Sequence, residues 1–317
     1  MRSSRKPPIF HLLDTMKYPI SISFSVSDSY VQHLAVVIAS FVKSNPESDF
    51  VFHVLHHDIT DSHQRMLTAW NGGRAGCRII FHKIDESLFA AFPIPPELEH
   101  VTREMYYRYI LADVLQEEKR TIYSDVDVIC VGDISSLWNL DLQGNILAAV
   151  SEGASGEFKK RLIGLEGEKP YFNSGLLVMD LEQIRSGNYI TKLFDNTRRY
   201  AGKIAWPDQD VINITFRGKI LQLSSEWNGI NVKYSPFRKD IIIWHFPGAT
   251  MKPWCNIWKN RTWPMYLKYL LITPFRGNAW RFVGGHIKGF FWYSYTKKQI
   301  RRTLCCGILV WKKRIVK

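Results

Sequence analysis

The chain has 317 residues, 46% hydrophobic and 22% charged, which excludes bulk disorder and leaves room for a large α/β domain with a sizeable core. A formal net charge of +13 suggests a nucleic-acid binder, but the charge is uneven. No Asp or Glu follows Asp240, whereas 15 Lys or Arg lie between Ile241 and Lys317, so the remainder holds 27 bases against 29 acids: a nearly neutral body with an intensely basic end.

Five cysteines at no metal-ligand spacing argue against a disulfide framework and for a reducing compartment. The basic segment from Met1 to Lys17 is interrupted by Asp14 and does not read as a signal peptide. The longest strongly apolar stretch of the tail, Leu304 to Trp311, falls far short of the ~20 residues a spanning helix needs. The expected location is therefore the cytoplasm.

In chain order, Ile20 to Val26 predicts a strand ending in the polar loop Ser27-Asp28-Ser29, and Val31 to Val42 a helix. Phe50 to Leu55, Ser62 to Trp70 and Arg78 to Ile84 continue as strand, helix and strand, the pattern of βαβ units in a mostly parallel sheet. Arg103 to Leu115 reads as a helix, with Met105 and Tyr106 in the core. Arg120 to Tyr123 reads as a strand leading into Ser124-Asp125-Val126-Asp127, and Leu147 to Val150, Gly175 to Leu181 and Ile241 to His245 as further strands. Asn173-Ser174-Gly175 has the composition of a turn before a strand. His53, His56 and His57 do not suit a zinc site, and surface placement is expected. From about Trp254 the periodicity fades into basic and aromatic residues, which divides the chain into a body, 1–254, and a tail, 255–317.

Asp125 and Asp127 are one residue apart after an apolar strand, so both face the same side. At the carboxyl edge of a parallel sheet they occupy the usual ligand position, and their mutual repulsion invites a hard divalent cation bridging a diphosphate. The spacing alone also fits an ordinary surface turn, or a Mg²⁺ phosphatase of the haloacid-dehalogenase type with the first Asp as nucleophile.

Several ordered motifs choose between these. Ile122-Tyr123-Ser124-Asp125-Val126-Asp127-Val128 is followed by Tyr171-Phe172-Asn173-Ser174-Gly175 and Met179-Asp180-Leu181. Then come Pro207-Asp208-Gln209-Asp210-Val211-Ile212-Asn213, His245-Phe246-Pro247-Gly248 and Lys252-Pro253-Trp254, with Tyr107-Arg108 and Ala112-Asp113 upstream. Together they resemble the family-eight glycosyltransferases, retaining enzymes of the GT-A fold, and most of all the bacterial members that build lipopolysaccharide outer core. The resemblance implies a GT-A-like, Rossmann-like, mostly parallel sheet flanked by helices, followed by a basic, aromatic helical tail.

It also implies that Asp125, Asp127 and His245 ligate a metal, Mn²⁺ rather than Mg²⁺ because an imidazole joins the carboxylates. Lys252 and Gly248 would meet the diphosphate. Arg108, Asn173, Glu152 and Asp208 would grip the hydroxyls of a glucose or galactose carried on UDP, and the Gln209 amide oxygen would lie by the reacting carbon. Ser27 and Ser29 stand where the family offers Asp and Asn to uridine, which leaves Ser27, Asp28 and Tyr30 as the expected nucleotide contacts, and three residues rather than two separate Gly248 from Lys252. Retention without a strong nucleophile points to front-face attack, the departing phosphate taking the acceptor's proton.

Residues 255–317 combine 14 bases with aromatics from Trp258 to Trp311. Amphipathic rings settle at headgroup level and bases add about 1 kcal/mol each near anionic lipid, so the tail is expected to bind the inner face of a bacterial inner membrane. Single-stranded nucleic acid would suit the same composition, but no nucleic-acid module is present. The sequence therefore predicts a peripheral transferase acting on a lipopolysaccharide core acceptor. The alternatives are the phosphatase and an inactive membrane- or nucleic-acid-binding adaptor.

Overall fold

The computed structural model describes residues 18–94, 102–165, 167, 169–230, 238, 240–248, 251–255 and 262–284. Most of the predicted tail, 285–317, lies outside the described residues, as do Cys305 and Cys306.

The first half winds as expected: β1 (Ile20–Ser25), α1 (Val31–Ser44), β2 (Phe50–His56), α2 (Asp61–Trp70), β3 (Cys77–Lys83), a 3₁₀ segment (Arg103–Ile110), α3 (Leu111–Val114) and β4 (Arg120–Ser124). Next come β5 (Val128–Cys130), α4 (Ser135–Trp138), β6 (Leu147–Ser151), α5 (Ala154–Leu162) and β7 (Phe172–Asp180). The chain continues through α6 (Leu181–Ser186), α7 (Tyr189–Tyr200), α8 (Pro207–Thr215), β8 (Ile220–Leu223), β9 (Ile243–His245) and α9 (Trp263–Leu270). Seven strands form one sheet in the order β3-β2-β1-β4-β7-β6-β8, and only β7 runs against the rest. β5 and β9 pair antiparallel in a small second ladder.

Strand order reverses between β1 and β4. From β1 the chain builds outward to β2 and β3, then returns to lay β4 on the other side of β1. The loops after β1 and β4 diverge at such a switch point and leave a crevice. The pattern of β1 makes this seam: Ile22 and Phe24 join one apolar core, while the buried Ser21 and Ser23 hydroxyls lie 3.1 and 2.7 Å from Thr121 Oγ1 of β4. Leu34, Val37, Ile38 and Phe41 of α1 complete that core, and an aromatic cluster around Phe89, Phe92, Tyr106 and Tyr109 belongs to a second one.

Three local expectations change. Arg103 to Leu115 is mostly 3₁₀ rather than α-helix. Three residues per turn stack positions i and i+3, and Tyr106 and Tyr109, ring centroids 5.4 Å apart, both enter the aromatic cluster, each such pair contributing about 0.5–1.5 kcal/mol. Tyr106 is core as expected, whereas Met105 is partly buried and also lines the crevice. Asn173-Ser174-Gly175 is not a turn but part of β7, because its backbone and amide groups find tertiary partners that override local preference.

The third change concerns the histidines. His53 and His56 are buried in β2, and only His57 is partly exposed. His53 Nδ1 lies 3.0 Å from His82 Nε2, a contact in which at least one of the two facing nitrogens must be unprotonated. Burial, and then His53 beside it, lowers the pKa of His82 to about 4, and burial lowers that of His56 as well. The unfolded chain takes up these protons near the ordinary value of ~6.5, so stability is full above that pH and is lost as pH falls through 6.5 towards 4. Urea midpoints should fall between pH 7.5 and 5, and His82→Gln should flatten the slope. An unchanged slope would assign the acid sensitivity elsewhere.

Candidate active site and metal centre

β4 ends at Ser124, so Asp125 to Asp127 form the bend that leads into β5. The β5–β9 register sets Val128 opposite His245, and Phe246 N donates to Asp127 O at 2.9 Å. One ladder therefore carries Asp127 and His245 side by side. From the other side Asp125 N donates to Gly175 O of β7 at 2.8 Å. A Cβ on Gly175 would overlap the His245 ring and lie 2.8 Å from Asp125 Oδ2, so the close approach demands glycine.

His245 Nε2 stands 3.3 Å from Asp127 Oδ1 and 3.9 Å from Asp125 Oδ2, and one ligand atom from each residue falls within 4.8 Å of the others. Asp127 Oδ1 and His245 Nε2 are buried without a hydrogen-bond partner. An orphaned buried polar atom costs about 1–3 kcal/mol, and a divalent cation would satisfy both at once. These donors fit a metal of the Mn²⁺ or Mg²⁺ kind. A second group, His57, Asp58 and Glu104, differs: His57 Nδ1 is 3.3 Å from both Glu104 Oε1 and Tyr107 OH, so none of its atoms is orphaned.

Lys252 Nζ meets Asp127 Oδ2 at 2.6 Å. Burial alone would raise the Asp127 carboxyl, but Lys252 holds it well below the usual range. Burial alone would lower Lys252, but Asp127 holds it above its usual range. Gly248 lines the same crevice with φ +78, a left-handed conformation that favours glycine.

Arg108 is buried, with its guanidinium fully engaged. It donates to Asp125 Oδ1 at 2.9 Å, Ser174 O at 2.6 Å and Met105 O at 3.0 Å, and lies 3.2 Å from Asp208 Oδ2. Tyr123 OH also donates to Asp125 Oδ1, at 3.0 Å. Burial raises the Asp208 carboxyl above its ordinary value and Asp125 adds to this, although Arg108 partly offsets both.

Asn173 Oδ1 accepts from Gly175 N and from Asn228 Nδ2, each at 2.9 Å. Its Nδ2 donates to Glu152 Oε1 and Gln209 Oε1, each at 3.0 Å. Burial would raise Glu152, but Lys159 at 2.6 Å and Asn173 outweigh it, so the carboxylate is ionised at neutral pH. Gln209 Oε1 accepts a second bond from Ser174 N at 3.1 Å, and Nε2 donates to Tyr171 OH at 3.2 Å. The amide oxygen expected to face a reacting carbon therefore has both lone pairs engaged in this state.

The crevice is lined by Ser27, Tyr30, Arg108, Asp125, Asp127, Asn173, Asp208, Gln209, His245, Gly248 and Lys252. Glu152 lines an adjoining compartment that shares Asn173, Gln209 and Trp206 with it. Asp28 alone of the expected set turns away. Its Oδ1 accepts from Thr60 N at 3.0 Å and pairs with His63 Nδ1 at 2.7 Å, which ties it to the start of α2. Ser27 and Ser29 hydroxyls bond each other at 2.9 Å. The sequence reading missed Asn228 and Trp206. Trp206 directly precedes the Pro207 motif, and an aromatic residue beside two acids was a usable signal; Asn228 carried none.

The glycosyl transferase family 8 profile matches residues 21–257, well over half of the chain. The chain belongs to that family. It is a glycosyltransferase, which removes the phosphatase and the inactive adaptor as readings. A putative glycosyltransferase of Haemophilus influenzae is 27% identical over 70% of this chain, which spans 66% of that protein's length. The lipopolysaccharide glucosyltransferase WaaO of Escherichia coli is 26% identical over 85% of this chain and 83% of its own. The crystal structure of the galactosyltransferase LgtC with donor and acceptor sugar analogues superposes with a TM-score of 0.75 at 23% identity, covering 83% of this chain and 99% of that one. The shared fold is GT-A: a mostly parallel sheet flanked by helices.

Gly175→Ala should leave the sheet intact, cost about 1–3 kcal/mol of stability through overpacking, and push His245 away from Asp125. Divalent-cation binding by a normally folded variant should weaken at least tenfold. Wild-type binding would mean that these residues are not the cation site.

Proposed function

We propose that this enzyme transfers a glucose or galactose residue, with retention, from UDP to a lipopolysaccharide core acceptor, using Mn²⁺ held by Asp125, Asp127 and His245. The orphaned lone pairs of Asp127 Oδ1 and His245 Nε2, facing each other in a crevice at the strand switch point, carry this reading. Among the described residues no other group of potential ligands leaves an orphaned atom.

Mn²⁺, when bound, neutralises charge on the departing diphosphate. Lys252, released from Asp127, would pair with that diphosphate, and the Gly248 backbone would line its path. Ser27 and Tyr30, which line the crevice, would meet the nucleotide. Arg108 acts by orienting Asp125 and Asp208, while Asp208, Asn173 and Glu152 supply polar groups for the sugar hydroxyls. The sugar C1–O bond to phosphate breaks as the acceptor oxygen bonds C1 on the same face. The acceptor's proton passes to the departing phosphate oxygen, so no protein base is required. The glucosyl and galactosyl activities of the relatives leave both hexoses open, since the two differ at one hydroxyl.

The acceptor would be met at the cytoplasmic face of the inner membrane. No described helix is long and apolar enough to cross a membrane. The segment 262–284 carries Trp280, 84% exposed, with half-exposed Leu271 and Ile272 beside exposed Lys268, Arg276 and Arg281. That mixture of rings and bases suits an anionic lipid surface.

Two experiments test the proposal. Hydrolysis of UDP-sugars without acceptor should be Mn²⁺-dependent, favour one hexose, and fall by roughly 10²-fold or more in Asp127→Ala. No turnover of any UDP-sugar, together with no Mn²⁺-dependent UDP binding, would overturn it. The full chain should float with phosphatidylglycerol vesicles at low salt and be released at high salt. Flotation that is absent, or equal on phosphatidylcholine, would remove the membrane from the scheme.

A further inference from the structure

We propose that Asn228 is a positioning residue that fixes the tautomer of His245, keeping the Nδ1 proton on the far side of the ring and the Nε2 lone pair aimed between Asp125 and Asp127. The inference rests on the proposed metal reading and deepens it.

The Gly175 N–H is a backbone donor that cannot rotate. Gly175 N–H, held in β7, donates to Asn173 Oδ1 at 2.9 Å, which fixes which end of that amide is oxygen. Asn228 offers Nδ2 to the same oxygen, also at 2.9 Å, because its own oxygen there would repel. Asn228 Oδ1 is thereby turned to His245 Nδ1 at 2.8 Å and can only accept, so the imidazole must donate from Nδ1. One backbone donor thus sets three side-chain orientations in series. At the far end Asn173 Nδ2 donates to the ionised Glu152, whose negative charge polarises the chain of amides towards His245.

The backbone holds Asn228 in register. Gly229 N donates to Ile243 O at 2.8 Å and His245 N to Gly229 O at 3.2 Å, an isolated bridge that sets Asn228 against β9. Asn228 is 1% exposed and His245 is 1% exposed, so water does not compete for either group. Without the Asn228 oxygen, the proton would be better placed on Nε2, where Asp127 Oδ1 at 3.3 Å can accept it. That tautomer leaves its lone pair on Nδ1, turned towards residue 228 and away from the cation site. Groups of this kind, which hold the second nitrogen of a metal-binding imidazole, are typically worth 10–100-fold in metal affinity.

The test uses the full chain labelled with ¹⁵N-imidazole histidine, His245 being assigned by its loss in His245→Ala. Long-range ¹⁵N–¹H spectra of the metal-free protein should show His245 protonated at Nδ1 and bare at Nε2. Asn228→Leu should lose that tautomer and bind Mn²⁺ about 10–100-fold more weakly in the presence of UDP. Asn228→Asp keeps an acceptor for Nδ1–H but sets a second carboxylate oxygen against Asn173 Oδ1, so it should lose stability while retaining the Nδ1–H tautomer, a separation that a merely structural role would not give. A wild-type ring protonated at Nε2 would overturn the inference even if Asn228→Leu does not fold. So would a folded Asn228→Leu with unchanged tautomer and Mn²⁺ affinity, while loss of Mn²⁺ binding in His245→Ala would leave the metal reading standing. Wild-type Mn²⁺ binding by His245→Ala would instead defeat the metal reading and this inference together.

Discussion

Two carboxylates and an imidazole, with donor atoms within 4.8 Å of one another and two of those atoms buried without partners, form an arrangement that a folded chain does not adopt cheaply. Each orphaned atom costs about 1–3 kcal/mol in a protein whose net stability is about 5–15 kcal/mol. The surrounding structure therefore has to impose the geometry. It does so with backbone: the β5–β9 register for Asp127 and His245, and the Asp125 N–H to Gly175 carbonyl bond for the other carboxylate. Side chains alone, with their rotamer freedom, could relax apart.

The antiparallel strand β7 makes this possible. Inserted between β4 and β6, it presents Asn173, Ser174 and Gly175 at the end where the parallel strands finish. Its start is thus level with the loop after β4. Ser174 serves from both its backbone and its hydroxyl, the carbonyl holding Arg108 and Oγ donating to Asp208 at 3.0 Å. Arg108 then links Asp208 to Asp125. Asp125, Asp127 and Asp208 crowd together in this crevice, and Arg108 and Lys252 are the cations paired with them that make the crowding tolerable.

What could be read from the sequence divides along the same line. Strands and helices whose apolar periodicity survives into the fold, such as β1 to β3 and α1, were legible to within a residue or two. Asp125, Asp127, Asn173 and His245 were legible as ordered motifs, and the structure gathers them. Asp28 was not: nothing in Ser27-Asp28-Ser29 reveals that Thr60 and His63, over 30 residues away, capture its carboxylate. Nor was Asn228, whose importance arises from a single bridge between Gly229 and Trp244. The burial of His53 and His56 was hidden as well, since β2 is covered on both faces and shows no alternation.

Gln209 shows how far such a network constrains chemistry. Its oxygen holds Asn173 and the Ser174 amide, and its nitrogen holds Tyr171, whose hydroxyl donates to the buried Asp210. Asp210 in turn accepts the Ala205 and Trp206 amides at 2.8 and 2.9 Å and so locks the entry to α8. Gln209 is therefore the join between β7 and α8 before it is anything else. Its oxygen becomes free towards a sugar only if Asn173 Nδ2 finds another acceptor, and a donor hydroxyl placed between Asn173 and Glu152 is the group that would supply one. Sugar binding and exposure of the Gln209 oxygen would then be one event, with Asn173 turning between two acceptors while Gly175 N–H keeps its other end in place.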